Sequence, residues 1–171
     1  LGTCGDIVLV SCNLLDDPTA LHVARVDTTT HSLEILTDTD GVLGGVHSGV
    51  IGRDTVVIRR TTLHEPRSTS FVRHGPIVTS YAETPLVQPN VTLHRIGDRA
   101  IATAIVLPRH RTGEPLPVLF DAYGGPHVQR VVSAQSAYLT SQWFADQGFC
   151  VVIADGRGTP GRGSKWERNI S

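Results

Sequence analysis

A tyrosine at the end of an apolar run is the side chain of this sequence best placed to act on a substrate. The stretch PVLFDAYGGPH, residues 117–127, puts Tyr123 directly after the apolar run Val118–Ala122 and before two glycines and a proline. Glycine and proline allow a tight turn that brings backbone close to a ligand. A phenol at the carboxyl end of a buried strand can donate a hydrogen bond to a ligand there. From this stretch alone, however, a ring that only caps a layer of the core is the preferred interpretation.

The residues after Tyr123 are interpreted as parts of the same site. We expect Gly124, Gly125 and Pro126 to form the turn that sets the position of the phenol, and His127 to line the pocket wall without taking part in catalysis. The other seven histidines are scattered and form no His-x-x-x-His pair, so no metal site is predicted. No cofactor is expected.

A glycine-rich loop follows the second apolar run of this half and has to be tested as a phosphate cradle. From Gly158 it reads GTPGRGSK, in which Lys165 follows the hydroxyl residue. A P-loop needs the lysine first, because that order puts the ammonium on the terminal phosphates and the hydroxyl on magnesium. The sequence therefore disfavours nucleotide binding. We expect Asp155 and Arg157 to pair with each other and to order this loop.

The sequence contains no nucleophile elbow. The pattern G-x-S-x-G, which places a serine on a strained turn between strand and helix, does not occur in the 171 residues. The candidates Ser164, Ser48 and the serines of the predicted helix have no triad context in the sequence, so ordinary structural roles are expected for them. The three cysteines lack CxxC spacing, so they are expected to be reduced, metal-free thiols.

Two patterns divide the chain. Up to about Glu83, short β-rich runs alternate with turn residues, which predicts antiparallel sheet. The expected strands are Ile7–Cys12, Leu21–Val26, Leu33–Leu36, Thr55–Arg60, Ser70–His74 and Ile77–Ala82. Groups of four strands at this pitch fit about two blades of a β-propeller, although a β-sandwich gives much the same pattern.

A domain boundary is predicted between residues 85 and 86, because Pro85 and Pro89 interrupt any regular element. Beyond them, Val91–Ile96 and Ala100–Leu107 are expected to pair as a hairpin. The strands Val118–Ala122 and Phe149–Ala154 flank a helix over Ala134–Gln147, with Ser133 as N-cap and Gly148 as its stop. Strand, helix, strand predicts a right-handed crossover between two parallel strands.

The composition of the chain limits the classes of binding partner that are expected. A net charge of −1 gives no electrostatic reason to expect nucleic acid or an anionic membrane, and no apolar run reaches membrane-spanning length. The chain has no methionine, so we expect it to be a piece of a longer protein.

Together, DAYGGPHVQRV, the helix, GFCVVIADGRGTPGRGSKWE and the upstream DPTALHVARV resemble the prolyl oligopeptidase family of serine peptidases, with the dipeptidyl peptidase IV branch as the best match. The resemblance implies antiparallel β-propeller blades over residues 1–85, followed by the first part of an α/β-hydrolase domain over residues 86–171. It implies that Tyr123 donates its hydroxyl to the oxyanion formed when a serine attacks a peptide carbonyl.

The resemblance also implies what lies outside these residues. The serine, aspartate and histidine of the triad are expected after Ser171, and the glutamates that hold a substrate's amino terminus before Leu1. The expected partner is a peptide substrate, and a homodimeric parent is left open. Two alternatives remain: another serine hydrolase of the same architecture, such as an acylaminoacyl peptidase, and a propeller-bearing interaction module without activity.

Overall fold

Two β-sheets follow one another along the chain. The structure is a computed structural model that describes residues 1–14, 17–37, 44–110, 113–122 and 128–168. Within these residues, an eight-stranded sheet is built from residues 2–78 and a four-stranded sheet from residues 91–154. The change from one sheet to the other falls where the sequence pattern changes. Among the described residues, no helix is long and apolar enough to cross a membrane.

The first sheet consists of two antiparallel groups of four strands. The first group is β1 to β4 and the second is β5 to β8, and a single parallel pairing of Leu21 with Val46 joins them. The strands are β1 Gly2–Cys4, β2 Ile7–Leu14, β3 Asp17–Asp27, β4 Ser32–Ile35, β5 Val46–Gly52, β6 Thr55–Thr61, β7 Thr69–Val72 and β8 Ile77–Val78. This grouping agrees with the predicted antiparallel four-strand pitch.

Strand β5 was not expected from the sequence, because two glycines, a histidine and a serine interrupt its apolar pattern. The structure explains one of the two glycines, Gly49. A Cβ on Gly49 would lie 3.2 Å from a methyl carbon of Val23, so the missing side chain lets β3 pack against β5. A Cβ on Gly45, just before the strand, would overlap the carbonyl oxygen of Thr61. Close packing, and not turn formation, accounts for these glycines.

Two stacked histidines lie where the two groups of strands meet. The rings of His22 and His47 are buried and lie 5.8 Å apart between centroids. His47 donates its Nδ1–H to the carbonyl oxygen of Leu21 at 2.9 Å. Burial lowers the pKa of His47 below its ordinary value, and the nearby His22 and Arg60 lower it further, although the bond to Leu21 acts in the opposite direction.

The second sheet has the order β11-β12-β10-β9. Its strands are β9 Val91–Ile96, β10 Ile101–Val106, β11 Val118–Asp121 and β12 Cys150–Ala154. The predicted hairpin is confirmed as the antiparallel pair β9 and β10. The parallel pairing of β11 with β12 is also confirmed, with Val118 opposite Cys150 and Asp121 opposite Ile153.

The helix between β11 and β12 begins later than expected. Residues Gln135–Tyr138 form a 3-10 turn, and the α-helix α1 covers Leu139–Asp146. The prediction that Ser133 caps this helix is wrong: its hydroxyl lies 2.8 Å from the hydroxyl of Thr19, on β3 of the first sheet. Gly148 ends the helix as predicted, with a φ of 101° that favours glycine. A one-turn helix, α2, covers Ser164–Glu167.

The core of the second sheet lies on the side of α1. Its buried members are Ala102, Ala104, Val106, Val131, Tyr138, Ala145, Val151 and Ile153. Gln142 of α1 is fully buried beside them; its side chain accepts a hydrogen bond from the Asn90 amide and donates to the Leu107 carbonyl and to Asp146. On β11, Val118 and Phe120 remain exposed. The cysteines Cys4, Cys12 and Cys150 are free.

Candidate functional site

The carboxyl ends of β11 and β12 form one edge of the second sheet. Because the two strands are parallel, Asp121, the last residue of β11, and Asp155, the first residue after β12, lie at the same edge, where α/β sheets bind ligands. The predicted site residues Tyr123, Gly124, Gly125, Pro126 and His127 come directly after this edge and lie outside the described residues. The chain is described again from Val128, and the described residues on both sides of these five make up the edge.

Asp155 holds the segment that follows the turn. Its carboxylate accepts hydrogen bonds from the backbone amides of Arg130 and Val131, both at 2.9 Å, and the residue is only 4% exposed. Burial raises the pKa of Asp155, while the two amide bonds and the charge of Arg130 act in the opposite direction. A buried carboxylate that accepts two amides fixes the backbone there more firmly than a surface side chain would.

The predicted partner of Asp155 was Arg157, and this prediction differs from the structure. Arg157 is exposed, and no ion pair joins it to Asp155 among the described residues. Both carboxylate oxygens are already occupied by the amides of residues 130 and 131. Asp155 therefore orders the backbone at Arg130 and Val131 instead of its own loop.

Arg130 joins this segment to the end of β11. Its guanidinium forms an ion pair with Asp121 at 2.6 Å, between residues nine positions apart. The backbone amide of Arg130 is also one of the two amides that Asp155 binds. Arg130 is thus bound at its backbone to the end of β12 and at its side chain to the end of β11.

A second tyrosine, Tyr138, holds the next residue of the segment, Val132, through its side-chain hydroxyl. Its hydroxyl donates to the carbonyl oxygen of Val132 at 2.8 Å and accepts from the Val132 amide at 2.9 Å, and the ring is fully buried. Burial raises the pKa of Tyr138 above the ordinary value for a phenol, so the hydroxyl stays protonated. The side chain acts as a fixed donor and acceptor for backbone, and it is not directed at a ligand.

The same segment contacts the first sheet. Gln129 donates to the carbonyl oxygens of Pro18 and Val131, and the amide of Ser133 donates to the carbonyl oxygen of Thr19 at 2.8 Å. A Cβ on Gly161 would lie 3.0 Å from the side-chain oxygen of Gln129, so the glycine-rich loop packs closely here as well. Residues 128–133 therefore connect both sheets.

A cleft opens between β11 and α1, on the α1 side of the edge. Its volume is about 680 Å³, and the lining is apolar except near the Asp121–Arg130 pair and two hydroxyls. The lining residues are Leu119, Phe120, Asp121, Ala122, Arg130, Ala137, Thr140, Ser141, Phe144 and Val151. A smaller cavity of about 350 Å³ lies by His47 and Arg60 in the first sheet, away from this edge.

The described residues do not form a complete catalytic arrangement. No serine hydroxyl among them hydrogen-bonds a histidine, and Ser164 is an exposed residue at the start of α2. No group of three or more histidine, cysteine or acidic side chains is placed to hold a metal ion in the described part of the chain. Sequence reasoning missed Arg130, Gln129 and the polar role of Tyr138. The rule that a buried phenol needs a hydrogen-bond partner is the one signal that could have indicated the polar role of Tyr138.

Comparisons with known proteins give the fold of the chain, and one family model matches a short part of it. Residues 135–171 match the Prolyl oligopeptidase family. No curated protein matches the sequence. The structure is similar to that of dipeptidyl peptidase 4 from Porphyromonas gingivalis, with a TM-score of 0.70 and 18% identity over 95% of this chain and 24% of that one.

A second similar structure carries a different activity in its name. The acylaminoacyl peptidase of Pyrococcus horikoshii gives a TM-score of 0.64 and 14% identity, over 96% of this chain and 26% of that one. The chain thus spans about a quarter of the length of the solved structures it matches. At identities this low, the structural similarity establishes a shared fold over a partial region of these peptidases.

Proposed function

We propose that these residues are a segment of a serine peptidase of the prolyl oligopeptidase type that cleaves peptides through an acyl-enzyme. Residues 1–85 would form the last blades of its β-propeller, and residues 86–171 would begin its α/β-hydrolase domain. The observation that carries the proposal is the parallel pair of β11 and β12, because the sequence Tyr-Gly-Gly-Pro follows β11 one residue after its carboxyl end. The family match of residues 135–171 supports the same assignment.

In this proposal, Tyr123 supplies one hydrogen bond to the transition state. A serine elsewhere in the parent gives its hydroxyl proton to a general base and attacks the peptide carbonyl, whose oxygen becomes an oxyanion as the new C–O bond forms. The phenol donates to that oxyanion, the amine then leaves with a proton from the general acid, and water releases the acid. A fixed donor stabilises the developing charge more than the neutral carbonyl, so it accelerates the chemical step.

The finer assignment is the dipeptidyl peptidase IV branch, with cleavage after proline or alanine near the amino terminus. An acylaminoacyl peptidase is the alternative, and the similarity to the Pyrococcus enzyme favours it as a specific second candidate. The two differ in what they require at the substrate's amino terminus. A dipeptidyl peptidase needs a free ammonium group, whereas an acylaminoacyl peptidase needs that nitrogen to be acylated.

The test uses the longer parent protein, extended on both sides of these residues. Labelling with a serine-directed fluorophosphonate, followed by assays on Gly-Pro and acetyl-Ala chromogenic substrates, separates three outcomes. Labelling with release from Gly-Pro supports the dipeptidyl peptidase, and release only from acetyl-Ala supports the alternative. A well-folded parent with neither labelling nor release would refute the proposal and favour an interaction module.

A further inference from the structure

The cavity of about 350 Å³ in the first sheet has a basic lining. His47 of β5, Arg60 of β6 and the pair Arg73 and His74, which follows β7, all contribute to it. Within residues 1–14, 17–37, 44–110, 113–122 and 128–168, no acidic side chain lines this cavity. Pockets for small molecules have volumes of about 300–1,000 Å³. By size and by charge, the cavity therefore suits a small anion.

Arg60 carries a buried donor that has no partner. Its side chain is only 17% exposed, and one amino nitrogen, Nη2, donates to Glu65 at 3.2 Å. The Nε atom is buried and makes no hydrogen bond in the part of the chain that the structure describes. Buried donors in folded proteins are nearly always satisfied by protein, water or an ion, and an unsatisfied donor on a charged group is costly. An acceptor bound in the cavity that Arg60 lines would supply the missing bond.

The glutamates near the cavity do not balance the arginines. Arg73 binds Glu34 at 2.6 Å, but Arg25 lies 3.8 Å from the same carboxylate, and Glu65 is bound to Arg60. In these ion pairs of the described residues, three guanidinium groups share two carboxylates, which leaves one positive charge in excess. A carboxylate with a single negative charge would neutralise that excess. It would meet Arg60 in a poorly solvated position, where charge-assisted hydrogen bonds are strong.

The rest of the lining favours an organic ligand over an inorganic ion. Ile35, Leu36 and Phe71 contribute apolar surface to the cavity. A hydrated inorganic ion gains nothing from such walls, whereas an organic acid can bury its apolar part against them. The two oxygens of a carboxylate also match the N–H groups of a guanidinium. The ligand class that fits both the charge and the walls is a small organic carboxylate.

We propose that this cavity is a binding site for a small organic carboxylate, with Arg60 as the main hydrogen-bond donor and Arg73 as a second positive charge. The apolar part of the ligand lies against Phe71 and the end of β4. The inference does not depend on the proposed peptidase function, because the cavity shares no lining residue with the cleft between β11 and α1.

Isothermal titration calorimetry on the longer parent protein at low salt tests the proposal, with phenylpropionate as the probe. Phenylpropionate should bind about 10-fold more tightly than phenylpropionamide, which has the same shape and no charge. It should also bind more tightly than acetate, which lacks the apolar part, and than inorganic phosphate. Binding of acetate or phosphate as tight as that of phenylpropionate would overturn the organic class of the ligand.

Variants locate the binding at this cavity. Arg60→Met should weaken the binding of phenylpropionate roughly 10-fold, and Arg60→Lys should weaken it less, because the charge remains. Glu65→Gln should tighten the binding about 2-fold or more, because it removes a carboxylate that competes for the same guanidinium. The matched control is Arg59→Met, at the neighbouring exposed residue of β6 that does not line the cavity, and it should leave the Kd unchanged.

Two further measurements keep the test decisive if Arg60→Met does not fold. Arg73→Met should also weaken the binding, and the NMR signal of the Arg60 Nε–H group in the unmodified protein should shift with phenylpropionate but not with the amide. The proposal is overturned if phenylpropionate does not bind, if the amide binds equally well, or if Arg60→Met and Arg59→Met give the same Kd. Each of these results leaves the peptidase proposal standing, since fluorophosphonate labelling tests that proposal separately.

Discussion

Removing the hydroxyl of Tyr138 tests whether residues 128–133 are held as described. The Tyr138→Phe variant keeps the buried ring and deletes the one oxygen that binds both the amide and the carbonyl of Val132. Only the Val132 amide loses its partner, because the Val132 carbonyl also accepts from the Ala134 amide at 2.8 Å. A backbone amide left without a partner costs about 1–3 kcal/mol when water cannot reach it. Since Val132 is half-buried and partly accessible to water, we expect unfolding to be easier by about 1–3 kcal/mol in all.

Urea unfolding followed by the fluorescence of Trp143 and Trp166 measures this loss. The matched control is Tyr81→Phe, the same chemical change at a side chain that is 95% exposed, and it should shift the free energy of unfolding by less than about 0.5 kcal/mol. A Tyr138→Phe variant as stable as the Tyr81→Phe variant, with an unchanged m-value, would show that the phenol does not hold the segment.

Three further predictions concern other parts of the chain. Gln142→Leu leaves the Asn90 amide and the Leu107 carbonyl without partners. It should destabilise the fold by about 2–4 kcal/mol in urea unfolding. The control Gln147→Leu, at the exposed C-cap of α1, should have little effect. Because the folded pKa of His47 is lowered, its contribution to stability is complete above about pH 6.5 and is lost as the pH falls below that value. Urea midpoints from pH 8 to 5 should therefore fall less steeply in His47→Gln than in the unmodified chain, and equal slopes would contradict this. The 171-residue chain alone should show no peptidase activity, because it has no G-x-S-x-G elbow; hydrolysis that is lost on mutating Ser164 would place the nucleophile within it.

Local sequence patterns were sufficient for the strands that bury apolar side chains. The runs Val118–Ala122 and Phe149–Ala154 were predicted to be parallel strands of one sheet, and β11 and β12 pair in that way. The hairpin of β9 and β10 and the helix stop at Gly148 were also readable, because each depends on neighbouring residues in the sequence. The assignment of propeller blades rests on the resemblance, and so does the division into domains.

The sequence failed where a residue's partner is distant. Ser133 has the chemistry of an N-cap, but its hydroxyl contacts Thr19, which is 114 residues away. Asp155 was assigned to Arg157, two residues along, whereas its carboxylate binds amides 24 and 25 residues before it. A local rule cannot rank such contacts, since they exist only after both sheets have packed. The role of Tyr123 stays a prediction, because the residue lies outside the part of the chain that the structure describes.

The turnover number of a Tyr123→Phe variant of the longer parent protein tests the central claim most directly. The substitution keeps the ring and removes only the proposed donor to the oxyanion. If the peptidase proposal is right, kcat falls by roughly 100-fold or more, KM changes little, and the unfolding midpoint is unaffected. A variant that retains near-normal kcat would show that Tyr123 only packs at the end of its strand, and it would contradict the proposed mechanism.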